Sequence, residues 1–229
     1  MADRIISYLE MCRREGATLQ RGMNYRMGRT YSVILMSVRP GAPYRDRIED
    51  DGSTLIYEGH DVPRSRNIPD PKSVDQPEFS PSGTMTQNGK FHEAAQAHRQ
   101  GVKEPERVRV YEKIRQGIWS YNGMFHLVDS WREQDALRQV FKFKLVAVEE
   151  DLETDSLANV STQRRRVIPT QVKLEVWKRD GGKCVRCGAI DELHFDHIIP
   201  FSRGGTSLSA DNIQILCARH NLEKGDGIE

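Results

Sequence analysis

Long apolar runs are missing from this chain of 229 residues. No stretch approaches the ~20 consecutive apolar residues of a membrane-spanning helix, which excludes a helical transmembrane protein. The opening segment, MADRIISYLEMCRREG, is charged throughout and lacks the apolar stretch of a signal peptide. A cytoplasmic protein is therefore expected. An excess of one charge is missing as well: 34 Lys and Arg face 33 Asp and Glu, for a net charge of +1. That balance argues against an indiscriminate coat on a polyanion and leaves room for local basic patches. Cysteine is scarce, with 4 residues, too few for a disulfide scaffold at this length. What is present suffices for packed cores, since 37% of residues are apolar, and the length suits one large domain or two small ones. Three of the cysteines crowd into the last fifth of the chain.

The chain divides by composition. Ile5, Ile6, Leu9 and Cys12 are spaced like one face of a short helix, expected over residues 3–15. Strand-like runs follow at Tyr31–Val38 and Ser53–Tyr57, the first closed by Arg39-Pro40-Gly41-Ala42-Pro43. Residues 62–89 are rich in proline and polar side chains and read as a long loop. A helix at Phe91–Arg99 and strands at Val108–Tyr111, Met124–Val128 and Val140–Val148 complete a unit over residues 1–150. Its many strands and few helices predict a curved or barrel-like mixed β-sheet. The stretch EEDLETDSLANVSTQRRR has few core-forming residues, so 151–167 reads as a linker. A second unit, 168–229, starts with a helix at Thr170–Arg179. The fold class is α+β.

In the second unit Cys184-x-x-Cys187 is answered by Cys217-x-x-His220. These four ligands have the composition of a closed tetrahedral zinc site, and a core of roughly sixty residues gains from such a staple. Between the knuckles, Asp196-His197 interrupts an apolar strand, His194–Ile199; Asn212 opens the next strand, and Asn221 lies in the helix after it. Two short strands and a helix pinned by zinc would bring Asp196, His197, Asn212 and Asn221 together.

The stretch DHIIPFSRGGTSLSADNIQILCARHN resembles an HNH nuclease domain of the ββα-metal type, over roughly residues 168–227. The resemblance implies that Asp196 and Asn221 hold one catalytic Mg²⁺, with Mn²⁺ as a substitute. It implies that His197 is the general base and that Asn212 orients its ring. Arg203 and Lys224 would contact flanking phosphates. Many members carry a cysteine where His220 stands and a histidine where Asn221 stands, so either metal could claim His220. The repeated spacing favours zinc.

Upstream, APYRDRIEDDGSTLIYEGHD (Ala42–Asp61), TQNGKF (Thr86–Phe91) and VRVYEKIRQGIWSYNGMFHLVDSW (Val108–Trp131) resemble an SRA domain, the SET- and RING-associated reader of modified cytosine. The resemblance implies base flipping, with Tyr44 and Tyr57 as stacking faces. Asp46, with Asp50 behind it, would accept from the cytosine N4 amino group. Asn88 would belong to the pocket, and Arg64 and Arg66 on the long loop would enter a groove.

An SRA-like reader followed by an HNH module resembles bacterial modification-dependent restriction endonucleases. The expectation is metal-assisted hydrolysis of double-stranded DNA carrying 5-methylcytosine or 5-hydroxymethylcytosine. One HNH site cuts one strand, so a homodimer is one route to a double-strand break. Two rival readings stand beside it: a reader that binds modified DNA without cutting, and a nicking or homing-type HNH nuclease indifferent to methylation.

Overall fold

A computed structural model describes residues 3–49, 52–148, 167–225 and 227–228. Its elements are β1 (Arg4–Ser7), α1 (Tyr8–Arg14), β2 (Met23–Asn24), β3 (Ser32–Met36), β4 (Arg47–Glu49), β5 (Thr54–Glu58) and α2 (Gln87–Arg99). There follow β6 (Glu106–Arg115), β7 (Ile118–Asp135), β8 (Arg138–Val148), α3 (Thr170–Asp180), β9 (Leu193–His197), β10 (Ile213–Cys217) and α4 (Ala218–Lys224). The expected linker, residues 151–166, lies outside the described residues, as does Asp50.

The strands join one mixed sheet of 10 strands, ordered β10-β9-β1-β7-β6-β3-β2, with β8, β5 and β4 branching from β7. β7 is the spine: it is 18 residues long and pairs antiparallel with β1, β6 and β8 along different parts of its length. Register shifts at Val110/Tyr111 and Leu127/Asp129 mark bulges, which bend a strand and let one strand serve several neighbours. β3 and β6 pair in parallel, so the chain between them, including α2, is a crossover.

The core of the first unit is apolar and aromatic: Phe91 on α2 meets Phe143 on β8 edge to face, with ring centroids 6.0 Å apart. Each such ring contributes about 1.5–3 kcal/mol on burial. A separate small core in the second unit gathers Val172, Val176, Leu193, Phe195, Ile213 and Ile215.

Three expected boundaries move. The helix over residues 3–15 is a strand followed by a helix, because Ser7 caps α1 by accepting from the Glu10 N–H at 3.2 Å, and the residues before it join the sheet. Leu9, expected on the apolar face, is 67% exposed. α2 begins a turn early at Gln87, where the Thr86 hydroxyl accepts from the Gly89 N–H. Val167, expected to close the linker, is 1% exposed in the core of the first unit.

Candidate functional site

Two polar centres stand out, one per unit. The first surrounds a cavity of ≈ 890 Å³ walled by α1, β3, β7, the segment before β4 and the segment after β5. Tyr44, Asp46 and Tyr57 all reach it, and so do His60, Trp119 and Arg39.

Asp46 joins the ends of two strands. Its Oδ2 accepts from the Ser37 N–H at 3.0 Å and its Oδ1 from the Glu58 N–H at 3.1 Å. Burial is the largest influence on it and raises its pKa to about 7, against the lowering effect of those two N–H donors. Its charge therefore changes close to neutrality.

Tyr44 lies face to face with the His60 imidazole, centroids 5.4 Å apart and 21° between planes, and the Lys72 ammonium stands 4.3 Å from the Tyr44 centroid. The Tyr57 ring, expected as a stacking face, is 1% exposed and packed in the apolar core, so only its hydroxyl serves the cavity. That hydroxyl pairs with His60 Nε2 at 3.0 Å. Burial lowers the His60 pKa to about 4, so the ring is neutral near pH 7.

Asn88 is not part of the cavity wall. Its Oδ1 accepts from the His60 N–H at 2.8 Å, and its Nδ2 donates to the His60 and Pro77 carbonyls at 2.8 and 3.1 Å. It therefore holds the His60 backbone in place. Gly59 permits that approach: a Cβ there would run into the Gln76 and Asn88 side chains and Phe141. Behind the cavity, Glu58 accepts from Lys142 Nζ at 2.9 Å, while Arg138 donates to Asp61 at 2.6 Å. Burial pushes Asp61 up, but hydrogen bonds from Gln76, Arg138 and Lys72 bring it below the usual carboxylate range. Arg64 and Arg66 are exposed on the long loop.

The second centre sits on the β9–β10 hairpin and α4. Gln214 stands opposite Asp196 and Ile213 opposite His197 in the antiparallel register. His197 Nε2 pairs with Ser207 Oγ at 2.9 Å. Asn212, expected to orient that ring, gives its amide to main chain instead. Its Oδ1 accepts from the Ile199 N–H at 2.8 Å, and its Nδ2 donates to the Ile199 and Thr206 carbonyls at 3.0 and 2.9 Å. It lies in a short 3-10 turn just before β10, and it clips shut the loop that delivers Ser207.

Lys224, expected on a phosphate, is 9% exposed; its Nζ pairs with Asp196 Oδ2 at 3.0 Å and donates to the His197 carbonyl at 2.6 Å. Asn221 precedes Lys224 by one helical turn and so shares the α4 face that meets Asp196. Arg203 is exposed on the turn after β9.

Beside this centre, the ligand atoms of Cys184, Cys187, Cys217 and His220 all lie within 4.8 Å of one another. His220 Nδ1 is 3.3 Å from Cys184 Sγ and 3.4 Å from Cys217 Sγ, and Cys187 Sγ is 3.8 Å from Cys217 Sγ. A tetrahedron with arms of about 2.3 Å has edges of about 3.8 Å, so the set fits zinc. Burial raises the Cys184 thiol, yet hydrogen bonds from the Cys217 backbone and the His220 ring bring its pKa down to about 6. Such a thiol readily gives the thiolate a metal takes.

Sequence reasoning missed His60, Trp119 and Ser207. His60 lies two residues after the end of β5, in the Ala42–Asp61 segment that carries the SRA resemblance, and that adjacency was the available signal. Ser207 carries no signal of its own, because the loop geometry alone brings it to His197.

Comparison with known proteins gives two domain matches: the SAD/SRA domain family over residues 9–151 and the HNH endonuclease family over residues 184–227. Among curated proteins there is no match. Similar solved structures include the SUVH5 SRA in complex with hemimethylated CG DNA (22% identity, 68% of this chain and 93% of that chain, TM-score 0.45). The SUVH5 SRA bound to fully hydroxymethylated CG DNA is 20% identical over the same shares, with a TM-score of 0.43. The DNA modification-dependent restriction endonuclease AspBHI is 14% identical over 57% of this chain and 63% of that chain, with a TM-score of 0.39.

Proposed function

The chain belongs to the SAD/SRA domain family and carries an HNH endonuclease domain; from that premise we propose that it cuts DNA selectively where cytosine is modified. The observation carrying this reading is the coexistence of two centres: an aromatic cavity with a buried carboxylate, and an Asp-His pair framed by a Cys₃His cluster.

In the reader, a 5-methyl- or 5-hydroxymethylcytosine turned out of the duplex enters the ≈ 890 Å³ cavity. Extrusion costs a few kcal/mol, which stacking and hydrogen bonds in the pocket offset. Tyr44 and His60 supply aromatic surface. Asp46 accepts from the N4 amino group, the donor on the Watson–Crick edge of cytosine. Arg39 stands at the cavity wall, where the phosphate of the extruded nucleotide comes near. Arg64 and Arg66 reach the groove.

In the nuclease, Cys184, Cys187, Cys217 and His220 hold structural zinc. Asp196 and Asn221 offer the hard oxygen donors that Mg²⁺ or Mn²⁺ takes, and Lys224 holds Asp196 in place. When bound, that cation supplies neutralisation of the charge developing on the scissile phosphate. His197 takes the proton from the attacking water. Ser207 pairs with Nε2 at 2.9 Å and orients the ring for that role. Arg203 steadies a flanking phosphate. One centre breaks one strand, so a double-strand cut takes two protomers or two nicks.

The test digests matched plasmids bearing C, 5-methyl-C, 5-hydroxymethyl-C and glucosylated C, with Mg²⁺ and with chelator. Cutting of the modified plasmids alone is expected, with His197→Ala slowing it by roughly 10²–10⁴-fold. Equal digestion of modified and unmodified DNA would overturn the reading. Binding to modified DNA with no cleavage by either form would reduce the protein to a reader.

A further inference from the structure

The two units are joined by more than the segment between them. β1 lies between them: Arg4 pairs with Tyr121 of β7 on one side and with His194 of β9 on the other. Asp3 donates its N–H to Tyr121 and accepts from the Phe195 N–H at 3.0 Å. Ile5 of β1 is 7% exposed within the core of the nuclease, and Ile118 of β7 packs on that same core. The nuclease core is therefore completed by the reader's strands.

The point where the chain enters the nuclease is anchored from both sides. Val167 packs in the reader core and its neighbour Ile168, fully buried, packs in the nuclease core. The Val167 N–H donates to the Gly52 carbonyl at 2.9 Å, and a Cβ on Gly52 (φ 90°) would collide with the Val167 backbone.

A charge pair then seals the joint. Lys173 on α3 and Glu112 on β6 both have side chains 0% exposed, and Nζ meets Oε2 at 2.8 Å. Lys173 also donates to Asn122 Oδ1 at 2.7 Å, Asn122 Nδ2 donates to the same Glu112 oxygen at 3.0 Å, and the Thr170 hydroxyl donates to the other. Charges removed from water persist only when paired and hydrogen-bonded, so a shift of one unit against the other that parted this pair inside the joint would leave both buried without a partner.

We infer that reader and nuclease work as one docked body, so that docking, and not the length of the intervening segment, sets where the cut falls relative to the modified base. The statement about cutting rests on the function proposed above; the docking itself does not.

The test inserts eight Gly/Ser residues after Ala158 in the full chain. Eight flexible residues lengthen the maximum reach of a tether by about 27 Å. That equals about eight base pairs at ~3.4 Å each. On an end-labelled duplex with a single modified cytosine, the insertion is expected to leave the cut positions unchanged, and their spread over further base pairs, up to about eight, would overturn the inference. Calorimetry on the same proteins reads docking without cleavage. One cooperative transition is expected, with or without the insertion. Two separate transitions in the uninserted chain would overturn the inference, even if no substrate is cut. Lys173→Ala is expected to split the transition, whereas the paired Glu112→Gln/Lys173→Met variant, which leaves no charge stranded, is expected to keep it single.

Discussion

Around the reader's cavity, functional side chains are anchored by charge pairs and hydrogen bonds under a large aromatic core, whereas the nuclease anchors its own with four metal-type ligands around a small one. Glu58, Lys142, Arg138 and Asp61 form a partly buried network behind Asp46 that needs no ion. The nuclease has two five-residue strands and helices of 11 and seven residues around one small core, too little to hold Asp196 and His197 by packing alone. The difference teaches where each centre is vulnerable: the reader to loss of a partner charge, the nuclease to loss of a member of its Cys₃His cluster.

The sharpest way to break that comparison is to remove zinc. Apparent zinc binding in small modules is worth about 10–16 kcal/mol. That matches or exceeds the ~5–15 kcal/mol stability of a whole domain. Strong chelation, or Cys217→Ser, is expected to abolish cleavage and unfold α4 and the β9–β10 hairpin. Binding of modified duplex is expected to survive with a lowered melting temperature, because Val167 and Lys173 keep their reader partners Gly52, Glu112 and Asn122 while the small core beside them is lost. Circular dichroism, released zinc and a gel-shift titration read the three parts. Equal loss of DNA binding and cleavage would show that the reader depends on the ion as well.

Next in size is the carboxylate. Asp46→Asn is expected to weaken binding of modified DNA roughly ten- to a hundredfold, since a hydrogen bond to a charged acceptor is worth about 1.5–3 kcal/mol. The pH dependence has a definite sign. Affinity, which uses the anion, is expected to rise from pH 6 to pH 8 as Asp46 loses its proton near 7. Stability moves the other way: a carboxyl whose pKa folding raises from 3.8 to about 7 contributes fully below 3.8, and the contribution is lost as pH rises through about 7. His60, lowered on folding from 6.5 to about 4, acts in the opposite direction and adds stability as pH rises to about 6.5. Titrating affinity and urea midpoint for wild type and Asp46→Asn checks both slopes; the variant should lose the rise in affinity and the fall in stability through about 7, leaving only the His60 contribution.

These centres were unequally legible in the sequence. The Cys184, Cys187, Cys217 and His220 spacing is local, so a metal cluster could be read from intervals within one turn. The reader's key residues are dispersed over the segment before β4, the end of β5 and β7, and only the resemblance of their flanking motifs located them. Tyr57 was misplaced because an aromatic residue in a strand can face core or cavity, and the alternation there is uninformative: all five residues of β5 are buried. Asn212 and Lys224 were assigned roles on reacting groups because both are polar and both sit in the motif. The structure commits the first to the loop backbone and the second to Asp196, since a buried amide or ammonium must find partners nearby. β1 was unreadable for a different reason. Ile5 and Ile6 are buried in separate cores on opposite faces, and their identity as strand residues depends on β7 and β9, far away in sequence.

The smallest expected effect separates two histidines that are held in different ways. His60 in the reader is held through its backbone by Asn88, while its ring meets a buried tyrosine hydroxyl. His197 in the nuclease is held at its carbonyl by Lys224 and at its ring by Ser207. Ser207→Ala removes one ring hydrogen bond and leaves zinc, Asp196 and Lys224 untouched. A typical intramolecular hydrogen bond is worth about 1 kcal/mol net, roughly fivefold in rate. Cleavage is therefore expected to slow about fivefold, with binding of modified DNA unchanged, because the reader's own histidine is anchored elsewhere. Single-turnover cleavage alongside a binding titration measures the two. A loss as large as that of His197→Ala would make Ser207 more than an orienting partner, and an unchanged rate would mean that the loop clipped by Asn212 positions the ring without it.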